Sequence, residues 1–497
     1  MIEKSWFNTM RGVAQFHFIN ITEGGVAQID YVTVGSRTFT VDDFIERLLK
    51  DEYDANKFPW RDLEHVWPIL EPIVIAKGGI AKLNKGGRAM YSGGRNKLKP
   101  NEYIPRILNY KCISIKFKNF EIIDANAWLN QRSFLNQPYN EKTLEFLESL
   151  CWKEKDYRAT PAGQAWTQYN GYAFNYNTHE LEEISKNHSI NYNPCWTTKM
   201  KNKELWTVAQ NAVQGGYITG IPGHYKKLYH YDFTSAYPSI LAELDKLPDE
   251  NNYCITTADE IADHDNYVYI VFNHTCHKYY WDIESKIIPA HSYKIGLTRY
   301  NFEYRLHMLT LFLEKQKYTK GTPEYQCAKL FMNSFIGVMG SKKKTGKYVS
   351  QYMTKDEGHV YEDTSEDYPD VLTYGYVLAL QRKRSKDIIK RAEKEGALCM
   401  QWNTDGGFFT KPLSFAIPKD DPRVKELGAF RFEYIGHNVD IFACNQYACD
   451  EEACIAGLPK ELYRPGQRKY EFWVLNYNKK SHQVVYKKDK ITLGAEE

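Results

Sequence analysis

Residues 227–244 read KLYHYDFTSAYPSILAEL. An aromatic strand runs up to Asp232, and Thr234 or Ser235 can cap a helix whose first turn contains Pro238. That places a carboxylate at a strand-to-helix corner. There Asp232 can bind a divalent cation, and Tyr237, one turn onward, can wall a small pocket. Taken alone, the same letters also fit a turn aspartate and a core tyrosine.

A second stretch, ALCMQWNTDGGFFT at 397–410, puts two apolar runs around Asp405-Gly406, a strong hairpin-turn signal. One carboxylate at a strand end and another on a hairpin tip are the parts needed to hold two cations for in-line phosphoryl displacement. Between the two lies AKLFMNSFIGVMG at 328–340, where Lys329 and Asn333 are spaced to share one helix face along which a triphosphate can lie. Lys317 and Lys320 extend that supply of charge if the segment folds as a helical hairpin through Gly321 and Pro323.

The chain around these stretches has 497 residues, enough for two to four domains with large cores and no need of disulfide or metal staples. No apolar run reaches the length of a membrane span, and MIEKSWFNTMRG has no secretory core, so the expectation is a cytoplasmic protein with no membrane partner. Even the tightest cysteine group, Cys444, Cys449 and Cys454, lacks the spacing of a zinc site. Against 62 acidic residues stand 65 Lys and Arg, so any nucleic-acid surface must be local. Candidates are SKKKTGK at 341–347, RKRSK at 382–386 and KKDK at 487–490. Residues 13–50 and 112–129 alternate strand-like and helical patterns, which predicts an α/β N-terminal domain. A polar region at about 160–205 precedes a second block beginning near VQGGYITG at 213–220, so the boundary is placed near 205.

In order, DFTSAYPS, KLFMNSFIG and NTDG resemble the three polymerase signatures of family B DNA polymerases. Asp232, Ser235, Tyr237 and Pro238 match Dx2SLYP with Ala236 for leucine, and Lys329, Asn333, Ser334 and Gly337 match Kx3NSxYG with Ile336 for tyrosine. VQGG at 213–216 is similar to the YxGG element of the protein-primed phage and plasmid subgroup. The resemblance implies a mixed α/β right-hand polymerase. Its palm would span 206–300 and 371–443, its fingers 301–345, an inserted hairpin 346–370 and a thumb 444–497, behind an N-terminal RNase H-like exonuclease-type domain at 1–205.

It also implies roles. Asp232 and Asp405 would be catalytic and, with Phe233, would hold two Mg²⁺ ions, for which Mn²⁺ can substitute. Ser235, Tyr237, Lys317, Lys320, Lys329 and Asn333 would bind the deoxynucleoside triphosphate. Gly215, Gly216, Ser334, Gly337, Thr404 and Tyr447 would contact DNA template and primer. A terminal protein is the further priming partner the subgroup implies, and replication of a phage or plasmid genome the setting.

Several positions depart from the family. Asn403-Thr404-Asp405 replaces DTD, Val213 replaces the YxGG tyrosine, and Asn445-Gln446-Tyr447 stands where KxY is expected. The short span between the first two motifs cuts down the family's first terminal-protein insertion. In the N-terminal domain Asn20 and Thr22 occupy the D-x-E positions with Glu23 out of register, and IVIAKGGIAKLN at 73–84 lacks the second exonuclease motif's Asn and Asp. Tyr176 and Glu180 are a relic of Yx3D. The expectation is an exonuclease-like fold without proofreading. Two rival readings are a decayed, polymerase-derived nucleic-acid-binding protein and a polymerase of untemplated or RNA-templated activity.

Overall fold

The computed structural model describes residues 10–53, 55–82, 98–108, 111–129, 135, 139, 141–149, 172–175, 180–183, 199–320, 322–340, 368–458, 462–478 and 483–494. The chain opens with β1 (Ala14–Ile19), β2 (Gln28–Val34), β3 (Arg37–Thr40), α1 (Val41–Leu49), β4 (Lys57–Trp60) and α2 (Leu63–Ala76). β5 (Ile80–Ala81), β6 (Glu102–Leu108), β7 (Lys111–Lys116), β8 (Glu121–Asp124), α3 (Ala125–Leu129) and α4 (Glu141–Ser149) follow. The strands form one sheet in the order β3-β2-β1-β4-β8-β7-β6-β5, with β1, β4 and β8 parallel at its centre. β1 alternates, burying Ala14, Phe16 and Phe18. α2 buries Leu63, Val66, Trp67, Leu70 and Val74, a helical stripe laid on the same core. Thr40 starts α1 by accepting the Asp43 amide at 3.1 Å.

After the pair β9 (Tyr172–Asn175) and β10 (Glu180–Glu183) come β11 (Lys199–Met200), α5 (Lys203–Ala212), β12 (Tyr217–Gly220), β13 (Gly223–Phe233) and α6 (Ala236–Glu243). Then β14 (Lys246–Ile255), β15 (Glu260–Ile261), β16 (Tyr267–Asn273), β17 (Lys278–Asp282), β18 (Ile287–Ile288) and β19 (Tyr293–Tyr300) build a four-stranded sheet, β14-β19-β16-β17, and a small β15-β18 ribbon. α7 (Phe302–Gln316) and α8 (Pro323–Met339) make the helical hairpin that the Gly321 and Pro323 positions lead one to expect. Thr322 caps α8, with Pro323 in its first turn.

β20 (Tyr368–Pro369) pairs with β11 and leads into the long α9 (Val371–Lys394). Of the expected inserted hairpin and the SKKKTGK run, residues 341–367 lie outside the described residues, as do Tyr176 and Gly321.

β21 (Cys399–Thr404), β22 (Gly406–Phe409), β23 (Phe430–Ala443), β24 (Gln446–Ala448) and β25 (Ala453–Ile455) complete a seven-stranded antiparallel sheet, β12-β21-β22-β13-β23-β24-β25. One face packs Tyr231, Phe233, Trp402, Phe409 and Phe430 toward α9. The other gathers Leu228, Met400, Phe408, Val439, Ile441 and Tyr447. The sheet runs on past Ala443, because β24 pairs directly with β23. The last hairpin, β26 (Lys469–Asn478) and β27 (Gln483–Thr492), returns to the N-terminal core through Leu475, Val484 and Tyr486.

Candidate active site

Asp232 is the next-to-last residue of β13, opposite Gly406 on one side and Arg431 on the other. The Phe233 amide donates to the Asp405 carbonyl at 3.1 Å, which ties the β21-β22 turn to the end of β13. Gly406 is required at that junction. A Cβ there would lie 2.7 Å from the Tyr231 carbonyl oxygen and 2.9 Å from Asp232 Oδ1. Thr404 enters the turn with a φ of 68°, and its hydroxyl donates to Asn403 Oδ1 at 3.3 Å. Asn403 therefore braces the turn. Ser235 precedes α6 as expected but in the left-handed region, and its hydroxyl does not cap the helix. It accepts instead from Lys315 Nζ at 2.7 Å.

Burial pushes the carboxyls of Asp232 and Asp405 up. For Asp232 the next causes are the neighbouring charges of Asp405 and Glu433, which Arg431 opposes. For Asp405 burial is opposed by the Lys329 ammonium. Tyr237 is likewise raised, by burial first and then by Asp405. A Cβ on Gly216 would meet the Tyr237 hydroxyl and Thr404 Cγ2, each at 2.8 Å, so only glycine allows this close passage. Arg382 fixes the segment by donating to the carbonyls of Gln214 at 2.9 Å and Gly215 at 3.3 Å.

These groups surround a cavity of about 1060 Å³. Asp232, Phe233, Ser235, Tyr237 and Asp405 form its floor, and Gly215 and Gly216 border it. From the helical hairpin come Lys317, Lys320, Lys329, Asn333 and Gly337. Lys329, Asn333 and Gly337 recur every four residues, so α8 presents them on one face, while Ser334 is turned away and does not line the cavity. Thr404 touches the site through Gly216 without lining it.

Tyr447 is not in the cavity. Its ring is buried against Phe408 at 5.0 Å, and its hydroxyl donates to Glu452 Oε1 at 2.6 Å, an oxygen that Tyr434 also donates to at 2.7 Å. The place expected of a primer-binding tyrosine is that of a core residue here.

Among the lining residues that sequence reasoning missed are the charged Lys315, Lys425, Arg431 and Glu433. A signal for Lys315 exists. Tyr304, Met308, Leu311 and Lys315 fall on the buried stripe of α7, whereas Lys317 stands outside it and pairs with Glu314 at 2.7 Å.

Two expected nucleic-acid patches are engaged internally. Lys383 pairs with Asp387 at 2.9 Å, Arg384 with Glu243 at 3.3 Å and Lys386 with Glu284 at 3.2 Å. In KKDK, Lys487 pairs with Asp489 at 2.7 Å and Lys490 with Glu471 at 3.3 Å, with Lys488 bonded to the same glutamate.

Among the described residues no three His, Cys, Asp or Glu side chains converge as a ready metal cage. The pair Asp232 and Asp405 nevertheless suits a hard divalent cation, because two buried, mutually repelling carboxyls need positive charge to ionise together.

No protein-family model matches the chain, and no curated protein does. Solved structures do. Phi29 DNA polymerase complexed with primer-template DNA aligns with a TM-score of 0.61 over 97% of this chain and 100% of its own, at 12% identity. The fold is that of a right-hand DNA polymerase. The same phi29 polymerase with single-stranded DNA aligns at 0.61 and 13% identity over 97% and 100% of the two chains. With primer-template DNA and incoming nucleotide it aligns at 0.58 and 12% over 97% and 99%. The polymerase fold thus takes in the N-terminal sheet as well as the cavity. No described helix is long and apolar enough to cross a membrane.

Proposed function

We propose that this chain is a template-directed DNA polymerase of the family B type, which adds deoxynucleotides to a primer 3′-hydroxyl. The observation that carries the reading is the convergence of Asp232, Asp405, Tyr237, Lys329 and Asn333 on one cavity within this fold. We assign the seven-stranded sheet to the palm, α7 and α8 to the fingers, and the β26-β27 hairpin to the thumb.

Asp232, Asp405 and the Phe233 carbonyl would hold two Mg²⁺ or Mn²⁺ ions. Such ions, when bound, stabilise the attacking and leaving oxygens of an in-line displacement at the α-phosphate. The chain's own groups do the positioning. Lys329 holds the triphosphate, and Asn333, on the same face, meets the sugar or base. The Tyr237 ring, fixed by Gly216, closes the space a 2′-hydroxyl would need. Gly215 and Gly216, pinned by Arg382, offer backbone to the DNA. Most of the rate enhancement then comes from placement and charge neutralisation.

In the N-terminal sheet Asp62 and Asp124 lie at the ends of adjacent parallel strands, but both are bonded internally: Asn126 bonds Asp62 through its amide side chain and Asp124 through its backbone at 3.1 Å. Arg61 stacks beside them on Tyr139 at 4.5 Å. We read this domain as a nuclease-type fold that does not proofread. The natural setting we assign is phage or plasmid replication with a terminal protein as an alternative primer, checked by whether a protein hydroxyl becomes labelled with dNMP.

Primer extension with Mg²⁺ tests the whole reading. The wild-type chain should extend a templated primer, Asp232→Asn and Asp405→Asn should each lose at least a thousandfold, and without nucleotides the primer should stay untrimmed. Tyr237→Ala should raise ribonucleotide use relative to deoxynucleotide. Extension by either acid variant at a near-normal rate would sink the assignment.

A further inference from the structure

The antiparallel register sets Arg431 of β23 directly opposite Asp232 of β13, so their side chains share a face of the sheet. One step further the register shifts: His230 faces Tyr434 while Tyr231 faces Phe432, leaving Glu433 as the extra residue of a β-bulge. Bulges re-aim side chains, and here both Arg431 and Glu433 reach the wall of the cavity. The guanidinium is ion-paired with Glu433, yet its buried Nε has no hydrogen-bond partner among the described residues. A desolvated donor of this kind is costly unless something accepts it.

Cations crowd the same end of the cavity. Lys315 and Lys329 come from the fingers hairpin, and the ammonium of Lys315 is held down by burial, by Lys329 and by Arg431 together. These three cations share the cavity with the carboxyls of Asp232, Asp405 and Glu433, and they give a bound polyanion cationic partners from both β23 and the helical hairpin. A planar guanidinium fork matches two phosphate oxygens at once, which an ammonium cannot do.

We propose that Arg431 is a further substrate-binding residue, contacting the terminal phosphates of the incoming nucleoside triphosphate, and that Glu433 positions it. The inference rests on the polymerase reading and deepens it by giving the site a palm-side phosphate contact facing the lysines of the fingers. A purely structural Arg431, serving only to hold the end of β13 in place, makes a different prediction, because disturbing that strand end would displace the sugar and base site together with the phosphate site and weaken triphosphate and monophosphate alike.

The test is equilibrium titration of the full chain on a primer–template whose primer ends in a dideoxynucleotide, in Ca²⁺, with dTTP and with dTMP opposite a template adenine. Arg431→Gln should weaken dTTP tenfold or more and leave dTMP within twofold. Arg431→Lys, which keeps charge and bulk, should recover part of the loss and guards against a folding defect, and Glu433→Gln should give a smaller loss than Arg431→Gln. Undiminished dTTP binding by Arg431→Gln, or equal weakening of dTTP and dTMP, overturns the proposal. Failure of the wild-type chain to bind dTTP in this complex overturns the polymerase reading and this inference with it.

Discussion

Lys315 shows how one residue can carry opposite effects on folding and on binding. Burial, with Lys329 and Arg431 nearby, pulls its ammonium down to about 8. Its charge is therefore lost as pH rises through about 8. KM for the triphosphate should climb above pH 8 in the wild-type chain. Lys315→Met should have a raised KM already at pH 7 and a flat profile to pH 9, measured by steady-state extension. Stability has the other sign. With a folded value below that of the unfolded chain, the unfolded state binds more protons between about 8 and 10.5, so folding gains as pH rises through that window. Lys315→Met should accordingly raise Tm at pH 7, and the gain should shrink at pH 10.

At the scale of elements, the α7-α8 hairpin is joined to β19 and α9 by a buried polar knot. Arg299 at the end of β19 pairs with Asp370 at 2.6 Å, Tyr304 of α7 donates to the same oxygen at 3.2 Å, and Asp370 caps α9 by accepting the Thr373 amide at 3.1 Å. Asp370→Ala removes the cap and leaves the largely buried Arg299 without its counter-charge. The loss should be about 3–5 kcal/mol by urea denaturation, against roughly 1 kcal/mol for the cap alone.

How far such elements were legible depends on how local their cause is. The α7-α8 hairpin was readable, because a cap, a proline and four-residue spacing are neighbours in sequence. So was the face carrying Lys329 and Asn333. The distinction between Lys315 and Lys317 lies in the apolar stripe of α7, which Lys315 continues and Lys317 leaves. Arg431 and Tyr447 had no such signal. Arg431 reaches the cavity through its pairing with a strand nearly two hundred residues away, and Tyr447 is buried because β24 extends the sheet.

Across the whole molecule the packing closes on itself. Trp128 of α3 meets Phe331 of α8 at 5.9 Å, and α6 shares that core with α7, α8 and Val377 of α9. The β23–β25 end of the seven-stranded sheet, through Phe442 and Ile455, packs on Tyr470 and Phe472 of the last hairpin. That hairpin returns to the first domain: the Ala27 amide donates to Val484 at 2.9 Å, and Tyr486 donates from its backbone to Gly25 at 3.0 Å. The buried Tyr486 ring is held by its hydroxyl, which donates to the Ile19 carbonyl at 2.7 Å and accepts the Gln28 amide at 3.3 Å. A chain whose two ends share one core should lose both together.

Tyr486→Ala empties an aromatic site in that core and should cost about 3–5 kcal/mol, whereas Tyr486→Phe, which removes only the hydroxyl, should cost about 1–3 kcal/mol. Hydrogen exchange separates shared from local failure. In Tyr486→Ala the amides of Ala27 and of β1 should lose protection by the same free energy as those of β26 and β27. If β26 and β27 alone exchange faster while β1 keeps its protection, the hairpin is an appendage, and the N-terminal sheet stands without it.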